Sequence, residues 1–404
     1  MNKNKKWYIL ILMCLGILAA QYSQFLMSQL GMTWLSDNSD LGGDAATELG
    51  KRFSTLMTAP LIAGALLSLV SGLFVDKFGV KKVLMVSFAI MTAGSLGRIF
   101  TGSYGVMFVC MVSLGIITTF FNANIMKLAG TWFAGAQAAL AIGIFSAVNS
   151  VSAASGTMLG AMFGSNYTLA FITSAVFAVA VWILWAVTPM DNGQLIIDNK
   201  DDTPKMRDAL KIVVRCKAIW VLAAAMMCIS VAGNAFGLFL PEALKARGIS
   251  AGTAGLATFF GIIGSGAFNL VAPKVMSRVT KPRLTLVFFG ILGALCIGFA
   301  WLLEIGPLMY LGLFIGGACS LGLSPVLLQL PLSFKEIGQK YAGTAGGFIA
   351  TLQLGGCVIV PTYIFMPLSK GNNTVFFALE GSLMLIFAVL AIFLPVRSLK
   401  EKKL

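Results

Sequence analysis

Twelve apolar runs, each about as long as the 20 residues a helix needs to cross a hydrocarbon core, constrain this chain more than any other feature. They cover residues 7–28, 53–75, 83–101, 104–126, 138–163 and 169–187, then 218–240, 252–272, 284–303, 307–328, 341–367 and 375–395. Hydrophobic residues make up 58% of the 404 and charged residues 11%, where a soluble domain carries about 25% charged residues. Mean hydropathy is +0.90. So few charges cannot keep that much apolar surface in water, so lipid must solvate most of the chain. In lipid the backbone must satisfy itself, and runs of this length do so as helices. The expectation is an all-α membrane protein with twelve transmembrane helices.

The longest polar interval, 188–217, mixes five aspartates with Lys200, Lys205, Arg207, Lys211, Arg215 and Lys217. It divides the chain into an amino-terminal six-helix bundle (1–187), a central loop (188–217) and a carboxy-terminal six-helix bundle (218–404). Placing both termini and that loop on one side puts 23 of the 29 lysines and arginines there. The positive-inside rule then makes that side cytoplasmic, N-in and C-in. The loop after the first run carries Asp37, Asp40, Asp44 and Glu48 and falls outside. The basic N-terminus leads into a run too long for a signal-peptide core, so the first run reads as an uncleaved span.

The net charge of +14 sits in short loops without a basic stripe or interleaved aromatics, which argues against nucleic acid. The chain has no histidine, and so lacks the commonest general base and metal ligand. Cys14, Cys110, Cys228, Cys296, Cys319 and Cys357 lie inside apolar runs, without metal-type spacing, and read as small hydrophobes. Neither a metal nor a cofactor is expected. No phosphate-binding G-x-x-x-x-G-K-[ST] occurs, so driving energy must come from gradients or from the solute itself.

The two halves share a pattern of small residues at every fourth position: Ser152, Gly156, Gly160 and Gly164 in the fifth run, Gly343, Gly347, Thr351 and Gly355 in the eleventh. That spacing puts each set on one helix face, where a second helix can approach closely. Sliding the fifth run onto the eleventh also pairs Asn149 with Gln353, one residue out of register with the small-residue sets. Repeats with a midplane site between them are a transporter signature.

After the second run stands Gly72-Leu73-Phe74-Val75-Asp76-Lys77-Phe78-Gly79-Val80-Lys81-Lys82. Gly72 removes a side chain where helices pack, Gly79 permits a tight turn, and Asp76 lies among Lys77, Lys81 and Lys82. The segment resembles the signature G-x-x-x-D-x-x-G-x-[RK]-[RK] of the major facilitator superfamily in spacing, position and side. The resemblance implies two pseudo-symmetric six-helix bundles. It also implies that Gly72, Asp76, Lys77, Gly79, Lys81 and Lys82 form a gating motif, which latches the cytoplasmic side when the carrier faces outward. Anchoring alone would not require an acid. The second half keeps only Asn269-Leu270-Val271-Ala272-Pro273-Lys274, with no acid at the equivalent place. Many proton-coupled members carry an arginine early in span four, where this chain reads Val109-Cys110-Met111. The stretch from Asn122 to Phe133 is similar to the span-four exit of the branch that includes organic-anion carriers and haem/choline exporter relatives.

In that family, spans one, four, seven and ten with two, five, eight and eleven face a central cavity, while three, six, nine and twelve are peripheral. The polar residues on the inner spans become candidate substrate-binding residues: Gln21, Tyr22, Gln24, Asn122, Asn124, Asn149, Asn234 and Gln353. Gln21, Gln24, Asn149 and Gln353 lead. Amides both donate and accept, which suits a solute with mixed polar groups; the competing role is to join helices by bonds of about 0.6 kcal/mol each. Arg98 and Glu380 fall off-centre in peripheral spans and are expected to snorkel or pack, with Glu380 also a possible coupling site. With no central charge, the expected solute is small, polar and organic, and neutral, zwitterionic or singly charged. The chain reads as a monomeric secondary transporter, a symporter or uniporter, of a bacterial cytoplasmic membrane and not as an enzyme. An efflux pump for lipophilic or cationic compounds and a non-transporting receptor are the alternatives.

Overall fold

The structure is a computed structural model that describes residues 3–38, 45–133, 136–188, 206–334 and 336–395. Twelve of its helical spans are long and apolar enough to cross a membrane. Span one is α1 (Lys3–Phe25) continued by α2 (Met27–Asn38). Spans two to six are α3 (Ala45–Phe78), α4 (Val80–Phe100), α5 (Tyr104–Trp132), α6 (Ala136–Met162) and α7 (Tyr167–Val187). A short helix, α8 (Met206–Arg215), precedes spans seven to nine: α9 (Lys217–Ala246), α10 (Ala251–Arg278) and α11 (Pro282–Phe299). Span ten is broken into α12 (Pro307–Cys319) and α13 (Ser324–Leu328). Span eleven runs through α14 (Gly338–Ile359), a π-helical stretch Val360–Phe365 and α15 (Met366–Ser369); span twelve is α16 (Asn373–Phe393). Most of the interval 188–217 expected as the central loop falls on residues 189–205, outside the described residues.

The spans alternate direction. Their ends therefore define a terminal face, where α1 begins and α16 ends, and an opposite face, where α3 begins. Within the first six spans, α3 lies along α5 and α4 along α7. Within the last six, α10 lies along α12 and α11 along α16. The closest crossings depend on glycine. A Cβ on Gly115 of α5 would collide with the Pro60 backbone of α3, and one on Gly264 of α10 with the Phe314 backbone of α12. Both crossings pair the second and fourth spans of a six-span set, as a repeat requires.

The two sets meet along α3 with α14 and α6 with α10. Several side-chain bridges across this junction fall in its opposite-face half. Ser54 Oγ lies 2.8 Å and Thr58 Oγ1 3.3 Å from Thr362 Oγ1. Phe53 meets Phe239 edge-on at 5.7 Å, and Lys51 Nζ sits 5.9 Å over the Tyr363 ring. Lys245 Nζ donates to the Gln29 carbonyl at 2.7 Å. The described bridges thus tie the halves at the opposite face.

Some expectations need correction. Gly164 is not part of a helix-face stripe: α6 ends at Met162 and Gly164 turns with φ +57°. Gly156 and Gly160 do act as expected, admitting span one at Tyr22, Phe25 and Gln29. In span eleven Gly347 meets Leu69 of α3, whereas a Cβ on Gly355 would meet nothing. Of the two outcomes expected for Arg98, to snorkel or to pack, it packs; it is 1% exposed, because partners inside the protein make the detour to water unnecessary. Glu380 is also fully buried, enclosed where α16 packs against α9 and α11.

Candidate functional site

The inner spans bring part of the predicted amide set together. Gln21 of α1 donates through Nε2 to Asn149 Oδ1 of α6 at 2.5 Å, and its own Oε1 is buried without a partner. In the last six spans Asn234 of α9 donates to the Ser230 carbonyl at 2.9 Å and to Cys357 Sγ of α14 at 3.8 Å. Cys357 lies one helical turn beyond Gln353, so each half joins its first span to its fifth with an amide near the aligned positions 149 and 353. Gln21, Asn149, Asn234 and Gln353 are all half-buried. In a membrane span, polar side chains that keep partial exposure face water or protein, because hydrocarbon offers them no partner.

Other predicted residues sit differently. Gln24 is buried. Tyr22 turns within its own half, its hydroxyl 3.1 Å from Thr173 Oγ1 of α7. Asn124 donates back to the Phe120 carbonyl of α5 at 3.0 Å and leaves Oδ1 buried and unpartnered. Asn122 is exposed near the terminal-face end of α5.

Beside these residues the helix of span one is interrupted. Gln29 N turns to the Leu26 carbonyl at 3.2 Å, and the Ser23 carbonyl accepts from Arg98 Nη1 of α4 at 2.9 Å. Arg98 Nη2 donates to Ser174 Oγ of α7 at 3.0 Å, and its guanidinium lies 5.0 Å over Phe171. Ser23 falls between Gln21 and Gln24, so Arg98 holds the segment that carries two leading candidates. A guanidinium suits this place, since its fixed fork reaches two acceptors at once. Span ten has a comparable clasp: with its amide turned so that the nitrogen faces them, as two carbonyl acceptors require, Asn269 of α10 donates to the Leu321 carbonyl at 2.9 Å and the Gly322 carbonyl at 3.3 Å, at the break between α12 and α13. Sequence reasoning missed both clasps. The signals were present as a lone arginine in an apolar run, and as Asn269 where the first half has Gly72.

Gln29 was also missed. It is 2% exposed, with both amide atoms unpartnered. Its backbone carbonyl accepts from Lys245, which also pairs with Glu242.

In the motif segment, Gly79 has φ +81° and caps α4, a left-handed turn that a side chain would strain. Its N–H bonds the Val75 carbonyl at 3.0 Å. Lys77 and Lys82 are exposed, Lys81 is half-buried, and Lys77 Nζ lies 5.3 Å over Phe78. The surroundings of Gly72 and the side chain of Asp76 lie outside the described residues.

A family model described as Major Facilitator Superfamily matches residues 7–361. The chain belongs to that superfamily. A relative from Cupriavidus necator, described as a probable sulfoacetate transporter, is 23% identical over 361 residues, or 82% of each chain. Among solved structures, a D-xylose-proton symporter superposes with a TM-score of 0.73 at 14% identity, covering 95% of this chain and 97% of its own. The nucleoside transporter NupG gives 0.70 at 13% identity, covering 95% and 96%. At such identities these likenesses speak for the fold, and this superfamily member is a multi-pass membrane protein of the transporter kind.

Proposed function

We propose that this chain is a secondary transporter that moves a small polar organic solute, neutral, zwitterionic or singly charged, by alternating access across a bacterial cytoplasmic membrane. The single observation carrying this reading is the Gln21–Asn149 pair, half-buried between two inner spans of a superfamily built around a central site. Gln21 Oε1 has no partner, so it can accept from a solute hydroxyl or ammonium group. Asn234 and Gln353 extend the same amide chemistry to the other half. None of these residues is charged, so the proposed site offers no clamp for a dianion.

Both termini are cytoplasmic in this reading, on the basis of the lysine and arginine bias. The bridges at the opposite face support a carrier tied on its outer side, and the segment with Asp76, Lys77, Lys81 and Lys82 is the proposed latch of the cytoplasmic side. Glu380 is the proposed coupling group, because nothing structural accounts for a buried carboxyl with both oxygens unpartnered. The carrier works as a monomer, needs no cofactor and binds no nucleic acid.

The test is a thermal-shift screen of the purified protein against polar metabolites, since a ligand at a hundredfold its Kd stabilises by about 2.7 kcal/mol. A polar solute should raise the melting temperature of the wild type but not of Gln21→Ala or Asn149→Ala. Stabilisation by sulfoacetate and other dianions alone would overturn the assigned charge class. Stabilisation by lipophilic cations alone would turn the reading to drug efflux.

A further inference from the structure

Helix α8 is ten residues long, below the roughly 12–15 at which a helix holds by itself in water. It persists because Ala209 and Val213, both fully buried, seat it against α9 and α14. Asp208, Lys211 and Arg215 stand on its exposed side. Beside them Val214 is 41% exposed, an aliphatic surface between two cations. The chain then turns at Cys216 and enters α9 with Lys217 exposed.

Trp220 closes the arrangement. Its Nε1 donates to the Val214 carbonyl at 2.8 Å, one of the last-turn carbonyls that a helix cannot bond internally. Its ring meets Phe348 of α14 edge-on at 5.1 Å, yet Trp220 remains 46% exposed. An exposed indole at the end of a membrane span settles at the headgroup level. This indole is bonded to α8, so it sets α8 at the same level. An exposed valine and indole bordered by Lys211, Arg215 and Lys217 then match the boundary itself, with aliphatic groups toward acyl chains and cations toward phosphates.

We propose that α8 is an interfacial helix that binds the headgroups of anionic phospholipids. Its seat on α14, the span that carries Gln353 and packs on α3 of the other half, lets the bound lipid steady the last six spans. Adding phosphatidylglycerol to the detergent-solubilised protein should raise its melting temperature more than adding phosphatidylcholine does. Lys211→Gln with Arg215→Gln should lose more than about half of that difference, while Lys211→Arg with Arg215→Lys should keep it. Arg278→Gln with Lys281→Gln, a charge-matched change on the terminal face between α10 and α11, should keep it too. The proposal is overturned if the first pair retains the full difference. It is equally overturned if the α10–α11 pair loses as much, since that would mark a bulk charge effect. Each protein is read against its own phosphatidylcholine baseline, so a general loss of stability cannot pass for a lost lipid response.

Discussion

Arg98 and Glu380 are both fully buried charged residues in spans on the periphery of the fold, yet their surroundings are opposite. Arg98 reaches a backbone carbonyl of span one, a hydroxyl of span six and an aromatic face. Glu380 has no hydrogen-bond partner on either oxygen. Burial alone therefore does not say what an intramembrane charge is for. A bonded charge accounts for itself as structure, whereas an unbonded one is a cost that structure does not recover. The largest predicted effect follows from the bonded case. Arg98→Met should destabilise the protein by about 3 kcal/mol, the scale of hydrogen bonds from a charged donor after crediting relief of the buried charge. Arg98→Lys should recover part of this. Thermal melting in detergent reads both, and an unchanged melting temperature for Arg98→Met would erase the contrast with Glu380.

Glu380 should respond with the opposite sign. Glu380→Leu removes a buried unsatisfied group and should gain up to about 2 kcal/mol in the same melt. Coupling adds a second readout: Glu380→Gln should abolish gradient-driven accumulation in proteoliposomes while sparing solute exchange. Unchanged accumulation would discard coupling and leave Glu380 as tolerated strain.

The contrast also marks where the sequence stops being readable. Twelve spans were legible because hydrocarbon thickness and backbone satisfaction leave a chain of this composition few alternatives. The turn at Gly79 was legible because the motif places a glycine where φ must be positive. The partners of Arg98 were not legible. Ser23 and Ser174 are 75 and 76 residues away in opposite chain directions, and only the packing of spans one, three and six brings them to one point. The interruption at Leu26 has no proline or glycine to announce it. In the candidate site, residue type and inner-span position picked out Gln21 and Asn149, and the structure joins them. The same reasoning could not tell them from Asn124, which spends its donor on its own helix.

Lys245 tests an intermediate case, a cation on a backbone carbonyl at a half-exposed place. It bridges the halves at the opposite face through the Gln29 carbonyl and is shared with Glu242. Partial exposure screens such a bond, so Lys245→Met should weaken the closed face by about 1 kcal/mol. The shift is read by thiol labelling of a cysteine placed at Thr58, which is 2% exposed while the halves are tied. Faster labelling in Lys245→Met is the expected result. An unchanged rate would assign closure to Phe53–Phe239 and the Ser54–Thr362 hydroxyl pair, which remain when Thr58 is replaced.

The smallest effect belongs to the Gln21–Asn149 pair, and its size decides what the pair is. Interhelical bonds between neutral side chains in membranes average about 0.6 kcal/mol, because both groups find other partners when separated. A double-mutant cycle of Gln21→Ala and Asn149→Ala, run by detergent melting without solute, should return a coupling near that value. A coupling well above about 1.5 kcal/mol would make the pair a structural clasp of the Arg98 kind, too firmly closed to exchange its bond for a solute's. A weak coupling leaves both amides ready to turn, which an alternating-access site needs. The same cycle repeated with a stabilising solute should then show a larger coupling, because a solute held by both side chains is lost when either is removed. Identical couplings with and without solute would place the solute elsewhere in the interior.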